Sequence, residues 1–280
     1  MKKIKRQICY DIKTGACHVW KKYVIYVLML VLFTCSMYHN SRFIIAEKGF
    51  SWLDCVSGYF RGMYDFTLVE RTQAFRIPIE WFVFHMGYVL LGISYPYHDY
   101  AERGYHFLIR AGSKRLWWMS KYLWSVGNAV LYCLIFYGIT WIFTLGVGKE
   151  AVWKQSDIWG FGLGELECTY VAGVLFLLPV MTAVAISVLE LCLSFVWNQI
   201  GAFMTVLMIL VASAYWKHPM LIGNYTMLYR YSMQEGNLGS QLLMGGALCL
   251  IIMIVSGIVG YAAFKRQEFI KKGDFHVLRG

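Results

Sequence analysis

The hydrophobic residues of this chain are gathered into six long blocks rather than spread over short amphipathic repeats. An α-helix rises about 1.5 Å per residue, so about 20 apolar residues cross the roughly 30 Å hydrocarbon core of a bilayer. A charge at the centre of a span costs roughly 2.5–3.5 kcal/mol on insertion scales, and the blocks contain almost none. The pattern therefore predicts six transmembrane helices, over Trp20–Tyr38, Ile77–Tyr97, Tyr122–Val147, Cys168–Leu189, Ile200–Trp216 and Gln241–Phe264.

The fourth and fifth blocks meet without a clear polar loop. Between Thr169 and Trp216 the only charged residue is Glu190, and Asn198 and Gln199 follow it. One helix over this stretch would far exceed the thickness of a bilayer. We favour a helical hairpin that turns between Glu190 and Gln199. A re-entrant arrangement, which occurs where surrounding protein covers a broken helix, stays open as the alternative.

Basic residues indicate which side of the membrane each loop faces, because cytoplasmic loops are enriched in Lys and Arg. The most basic stretches are residues 2–22, 103–121 and 265–279, and they alternate as three loops on one face would. We therefore expect a multi-pass protein of the plasma membrane with both termini in the cytoplasm. The net charge of +10 needs no nucleic acid, since basic residues lie favourably near anionic lipid headgroups.

The whole chain, 1–280, is expected to form one membrane domain, with a basic cytoplasmic segment over 1–22 and a cytoplasmic tail over 265–280. Lys5 to Lys22 are expected to form a short interfacial helix before the first span, with Ile8, Ile12 and Trp20 leaning into the bilayer. A loose basic tail over the first ten residues is the alternative.

Composition agrees with the block pattern and offers little chemistry. The chain is 59% hydrophobic and 15% charged, whereas soluble domains are about 45–50% apolar and about 25% charged. The sequence has no G-x-x-x-x-G-K-[ST], no H-E-x-x-H, no G-x-S-x-G and no C-x-x-C. We expect no catalytic residue, no metal site, no cofactor bound by this chain and no enzymatic activity of its own. His85 lies inside the second block, where we favour a hydrogen-bonded packing role over a functional one.

The loop between the second and third blocks has the most informative composition. From Tyr95 to Tyr122 it is basic and rich in large apolar and aromatic side chains. A plain connection needs few of these, whereas an amphipathic helix that docks on a partner or on the membrane surface uses them. Asp99 and Glu102 precede the basic residues, which favours a helix that begins near Asp99, because acidic groups stabilise a helix N-terminus.

The same stretch resembles the cytoplasmic loop of ABC-2-type transporter permeases, the six-span membrane subunits of some ATP-driven exporters. The pattern R-x-G-S-x-R-x-W-W-x-S-K, over Arg110 to Lys121, is similar to that of permeases from Gram-positive bacteria. Tyr95-Pro96 to Gly104 and Phe75 to Pro78 fit the same group. The match covers 75–124, and the six spans and their orientation extend it loosely over the chain.

The resemblance implies an all-α permease domain with a cytoplasmic coupling helix between the second and third spans. In that family this helix docks on a separate ABC ATPase subunit, and a second permease copy or a related permease completes the pathway. The residues it places near the coupling interface are Glu102, Gly104, Arg110, Arg115 and Lys121. The implied function is ATP-driven export of a peptide, a lipid or an apolar compound. The outer segment 40–76 is longer than in compact members of the family.

Two other functions stay open. One is an intramembrane enzyme that modifies lipids or cleaves peptides, which needs paired polar or ionisable groups at membrane depth. The sequence offers only His85 as a clear case. The other is a stand-alone membrane protein, such as an immunity or sensor subunit. The sequence specifies neither the substrate nor the pairing of Cys55 with Cys168.

Overall fold

The structure is a computed structural model that describes residues 2–64, 77–92, 95–100, 113–147, 158–161, 168–231 and 238–266. Within these ranges the regular secondary structure is entirely helical. The helices are α1 (Lys2–Asn40), α2 (Arg42–Lys48), α3 (Trp52–Tyr59), α4 (Ile79–Gly92), α5 (Lys114–Gly146), α6 (Cys168–Val196), α7 (Gln199–Tyr215) and α8 (Leu238–Arg266). Residues 95–100 are also helical, and Ile222–Thr226 and Leu228–Arg230 form short 3₁₀ turns.

Four of these helices are long and apolar enough to cross a bilayer. They correspond to the first, third, fourth and sixth predicted spans, and they cover Gln7–Asn40, Lys114–Gly146, Cys168–Val196 and Gly239–Arg266. The second predicted span contains α4, with 14 residues, and the fifth coincides with α7, with 17 residues. The chain is therefore a helical membrane protein.

Helix α1 runs without interruption over 39 residues, roughly 58 Å at 1.5 Å per residue. Residues 5–22, which the basic pattern assigned to a separate interfacial helix, form the first part of this helix. They continue directly into the first predicted span.

Helix α6 lies at the centre of the bundle, between α5, α7 and α8. In the most apolar 18-residue stretch of α6, 72% of the residues are buried, whereas in the corresponding stretches of α1 and of α8 the buried share is 17%. The two outer helices instead expose large apolar side chains, including Leu32 and Ile258, as a lipid-facing surface requires. The core around α6 is rich in aromatic rings, among them Trp81, Tyr132 and Phe136.

Two local features shape α6. A π-helical turn, Gly173–Leu177, lies just before Pro179, and the Leu178 N–H donates to the carbonyl of Gly173. Proline has no N–H and its ring displaces the carbonyl four residues earlier, that of Leu175. The hydroxyl of Tyr137 on α5 donates to this carbonyl at 2.8 Å. The distortion at Pro179 thus has a defined hydrogen-bond partner.

The hairpin expected between Glu190 and Gln199 turns at Trp197 and Asn198. The Asn198 side chain caps α7 by accepting the Gly201 N–H at 2.6 Å. An asparagine at this position satisfies an otherwise unpaired N–H, so a new helix starts there. The turn separates α6 from α7, and the two helices pack side by side.

Candidate functional site

The structure locates two of the five residues that the resemblance places near a coupling interface. Glu102, Gly104 and Arg110 lie outside the described residues. Arg115 is exposed in the first turn of α5. Lys121, two turns further along, is fully buried.

Lys121 is the centre of a buried ionic cluster formed by Asp11, Tyr95, Asp99, Ser120 and Lys121. Its Nζ atom lies 2.8 Å from Asp11 Oδ1 and 2.6 Å from Asp99 Oδ2. The ammonium donates hydrogen bonds to Asp11 Oδ1 and, at 3.1 Å, to the Tyr95 hydroxyl. Its contact with Asp99 is an ion pair that does not have the geometry of a hydrogen bond. The ammonium also lies over the Tyr95 ring, 4.2 Å from its centroid.

Asp11 accepts hydrogen bonds at both carboxylate oxygens. Tyr95 donates its hydroxyl to Oδ1 at 2.9 Å, and Ser120 donates to Oδ2. One ammonium thus serves two buried carboxylates, and the surrounding hydroxyls complete the shell of Asp11. Such an arrangement is stable only while each charge keeps its partners, because a buried charge without them costs several kcal/mol.

The ionic cluster joins three segments that are distant in sequence. Asp11 belongs to α1, Tyr95 and Asp99 to residues 95–100, and Ser120 and Lys121 to α5. Residues 95–100 and α5 lie on either side of segment 101–112, the centre of the basic loop. Both flanks of that segment are therefore fixed to each other and to the longest helix of the protein.

Aromatic packing extends the same end of the bundle to α6 and α8. The Trp117 ring stacks on Phe264 with centroids 4.6 Å apart, and Phe195 meets Trp117 edge-on at 5.8 Å. Tyr100 contacts Phe195 at 5.4 Å, and Trp118 is buried beside them. The tandem tryptophans of the loop motif therefore belong to the interior, where they connect the flank of segment 101–112 to the central helix.

His85 is a packed residue in this structure. It is fully buried, its Nδ1 lies 2.9 Å from the Trp81 carbonyl, and its Nε2 lies 3.2 Å from the Thr226 hydroxyl. A carbonyl only accepts, so Nδ1 carries the hydrogen in the contact with Trp81. The Trp81 indole also donates to Thr226, at 2.8 Å. In the described part of the chain, no group of three or more His, Cys, Asp or Glu residues is placed to hold a metal ion.

A cavity of about 270 Å³ opens at the other end of the bundle, between residues 217–231 and the start of α8. Its lining includes the basic side chains of Lys217, His218 and Arg230 beside Tyr225 and Tyr231. Burial raises the pKa of both tyrosines, which stay protonated and donate to backbone carbonyls at 2.8 and 2.7 Å. This volume lies below the usual range of ligand pockets, about 300–1,000 Å³.

The resemblance places Lys121 near a partner interface, whereas the structure buries it against two carboxylates of this chain. Asp11 falls in the basic N-terminal segment, and Asp99 was interpreted as a helix-start residue. Only the fold brings these carboxylates to Lys121, across sequence separations of 110 and 22 residues. No protein-family model, no curated protein and no solved structure matches the chain. The functional argument therefore rests on the ionic cluster and its position beside segment 101–112.

Proposed function

We propose that this chain is the membrane-spanning permease subunit of an ATP-driven ABC transporter. It has six transmembrane helices with both termini in the cytoplasm, and a separate ATPase subunit hydrolyses ATP. Two permease subunits, identical or related, line one pathway for export of a peptide, a lipid or an apolar compound. Segment 101–112 contains the coupling helix that docks on the ATPase.

The ionic cluster is the observation that supports this proposal. A docked helix transmits motion only if its flanks are firmly attached to the spans, since a loose connection would absorb the displacement. Here Lys121, on α5 after the segment, pairs both with Asp99, just before the segment, and with Asp11 on α1. Rigid helices and buried polar networks are the physical elements through which distant sites are coupled. Movement of segment 101–112 would therefore displace α1 and α5 together.

The exposed and buried basic residues then have different roles. Arg115, exposed at the start of α5, is available to an acidic or polar surface of the ATPase. Arg110 belongs to the proposed interface by its position in the segment. Lys121 is buried within the chain, so it acts by holding the flanks together. Glu102 and Gly104 complete the proposed interface by their position in the segment.

Affinity purification of the tagged protein from its native membrane, in mild detergent, tests the proposal. We expect an ATPase with a P-loop to co-purify in near-stoichiometric amount. Reversal of both charges, Arg110→Glu with Arg115→Glu, should remove the ATPase while the permease still inserts. The matched control is Arg42→Glu, an exposed arginine on α2 at the opposite end of the bundle, which should retain it.

Two results would contradict the proposal. One is a preparation without any P-loop ATPase under conditions that keep other membrane complexes together. The other is full retention of the ATPase by the double charge reversal. The first result would favour a stand-alone membrane protein, and the second would place the docking surface elsewhere.

A further inference from the structure

Helices α4 and α6 bury polar atoms that have no hydrogen-bond partner among the described residues. They are the hydroxyl of Tyr88 on α4, the hydroxyl of Ser187 on α6, and both carboxyl oxygens of Glu190 on α6. All three side chains are at least 97% buried. Buried polar groups are nearly always paired, so several orphan atoms on two adjacent helices require a physical explanation.

Tyr88 and Glu190 lie at the contact between the two helices, and Ser187 shares a helix face with Glu190. Ser187 and Glu190 are three residues apart and share a face of α6, and Tyr88 and Gly92 are four apart and share a face of α4. A Cβ atom at Gly92 would lie 3.3 Å from Glu190 Oε2, so the glycine leaves room for the carboxyl. Tyr88 is near enough to interact electrostatically with Glu190. We call Tyr88, Ser187 and Glu190 the polar seam.

The missing partners determine the charge state of Glu190. An ionised carboxylate inside an apolar core, without a hydrogen bond or a paired cation, costs far more than its neutral acid. Inside a membrane this difference is not relieved by bulk water. The described conformation therefore favours the neutral, protonated form of Glu190.

A cation lies close enough to stabilise the other charge state. The Lys22 ammonium on α1 donates to the Leu90 carbonyl at 3.1 Å and interacts electrostatically with Glu190. Among the described residues on neighbouring helices, Lys22 and Tyr88 are the titratable groups that interact electrostatically with Glu190. On α6 itself, Cys192 is a further titratable group, two residues along the chain. The described parts of α5 and α8, which also pack on α6, add no charged side chain to this interaction.

We propose that Glu190 is a proton-binding site in the membrane-embedded core. With the proton bound, the carboxyl is neutral and the Lys22 ammonium stays on the Leu90 carbonyl. When the carboxyl O–H bond breaks, the proton leaves to solvent, the electron pair stays on the carboxylate, and the Lys22 ammonium pairs with it. Loss of the proton therefore draws α1 toward the contact of α4 and α6. This inference does not depend on the transport function proposed above.

Infrared spectroscopy of the protein reconstituted in lipid tests the site, because a neutral carboxyl has a C=O stretching band that a carboxylate lacks. We expect this band at neutral pH in the wild type and its loss in Glu190→Gln. The matched control is Glu80→Gln, which removes a partly exposed carboxyl at the start of α4 and should leave the band unchanged. Both substitutions conserve size, and detergent-solubilised yield checks that they fold.

Titration with Lys22→Gln tests the partner. The ammonium favours the carboxylate, so without it the neutral band should persist to higher pH than in the wild type. A wild-type spectrum without a Glu190-dependent neutral band at neutral pH would show an ionised carboxylate and overturn the proposal. An identical titration in Lys22→Gln would overturn the pairing with α1.

Discussion

Lys121 forms two buried ion pairs, because its ammonium contacts both Asp11 and Asp99 inside the protein. A lysine in a basic, aromatic stretch is usually a solvated or partner-facing group. Here it is part of the interior. The stability of this end of the bundle therefore depends on a residue that composition alone assigns to the surface.

Substitution Lys121→Met should destabilise the protein by about 3–5 kcal/mol, since it leaves two buried carboxylates without their cation. The thermal midpoint of the detergent-solubilised protein measures the effect. Adding Asp99→Asn to Lys121→Met should recover part of the loss, because one uncompensated charge is removed.

Arg115→Met provides the control for Lys121→Met. It removes the same charge from the same helix, but from an exposed position, so the change should stay within about 0.5 kcal/mol. Equal destabilisation by the two substitutions would mean that overall charge, and not the ionic cluster, determines stability.

The residues of the polar seam mark a limit of sequence reasoning. The apolar blocks place Glu190 just beyond the fourth predicted span, which ends at Leu189, and at the start of the expected turn. In the structure α6 continues to Val196, so Glu190 lies inside the helix and is buried. Because the helix is seven residues longer than predicted, the Glu190 carboxyl lies in the packed core and not at the helix end. The residues from Leu191 to Val196 are mostly apolar, so they fit either a turn-proximal segment or a longer helix. The apolar pattern alone therefore does not show whether Glu190 lies at the end of the helix or inside it.

At the scale of elements, the hydrogen bond from Tyr137 to Leu175 compensates for Pro179. Proline takes the place of a helical N–H donor, and the tyrosine hydroxyl replaces that donor from a neighbouring helix. A distortion at Pro179 follows from the sequence alone, because proline lacks the N–H that a helix interior uses. The sequence could not predict the partner, which lies 38 residues before Leu175 and reaches it only through the packing of α5 on α6.

Substitution Tyr137→Phe should therefore cost about 0.6–1.7 kcal/mol, the range measured for hydrogen bonds between membrane helices. In a Pro179→Ala background the cost should be smaller, because the alanine N–H can bond the Leu175 carbonyl and the hydroxyl is no longer its sole donor. The thermal midpoints of the wild type, both single variants and the double variant form a double-mutant cycle that measures this difference.

A cycle without interaction between the two positions would contradict this account. The same cost of Tyr137→Phe in both backgrounds would show that the π-helical turn, Gly173–Leu177, is set by packing. The neighbouring Gly173 offers one such contact, since a Cβ there would lie 2.7 Å from a methyl group of Leu242 on α8.

At the scale of the whole molecule, the two ends of the bundle have different chemistry. One end holds the ionic cluster and the stacked Trp117 and Phe264, and the other holds the 3₁₀ turns and the cavity around Arg230. The alternation of basic loops predicts that the first end faces the cytoplasm. The positions of the six apolar blocks and the charge of the loops could be read from the sequence. In the structure four of the six blocks form helices of spanning length, whereas α4 and α7 are shorter as described.

Native cysteines make this orientation measurable. Cys9 and Cys17 are exposed near the basic start of α1, and Cys168 is exposed at the first residue of α6, near the opposite end. A membrane-impermeant thiol reagent should label Cys168 in intact cells and should label Cys9 and Cys17 only after the membrane is opened. Peptide mass spectrometry identifies each site.

Four of the five remaining cysteines act as internal controls, because they differ from the labelled ones in surroundings and not in chemistry. Cys55, Cys133, Cys192 and Cys249 are buried and should stay unlabelled until the protein unfolds. Labelling of Cys17 in intact cells, at the rate seen after disruption, would reverse the orientation. Segment 101–112 would then face outward, away from any ATP-hydrolysing partner. The same experiment therefore decides whether the ionic cluster stands on the side of the membrane where an ATPase could reach it.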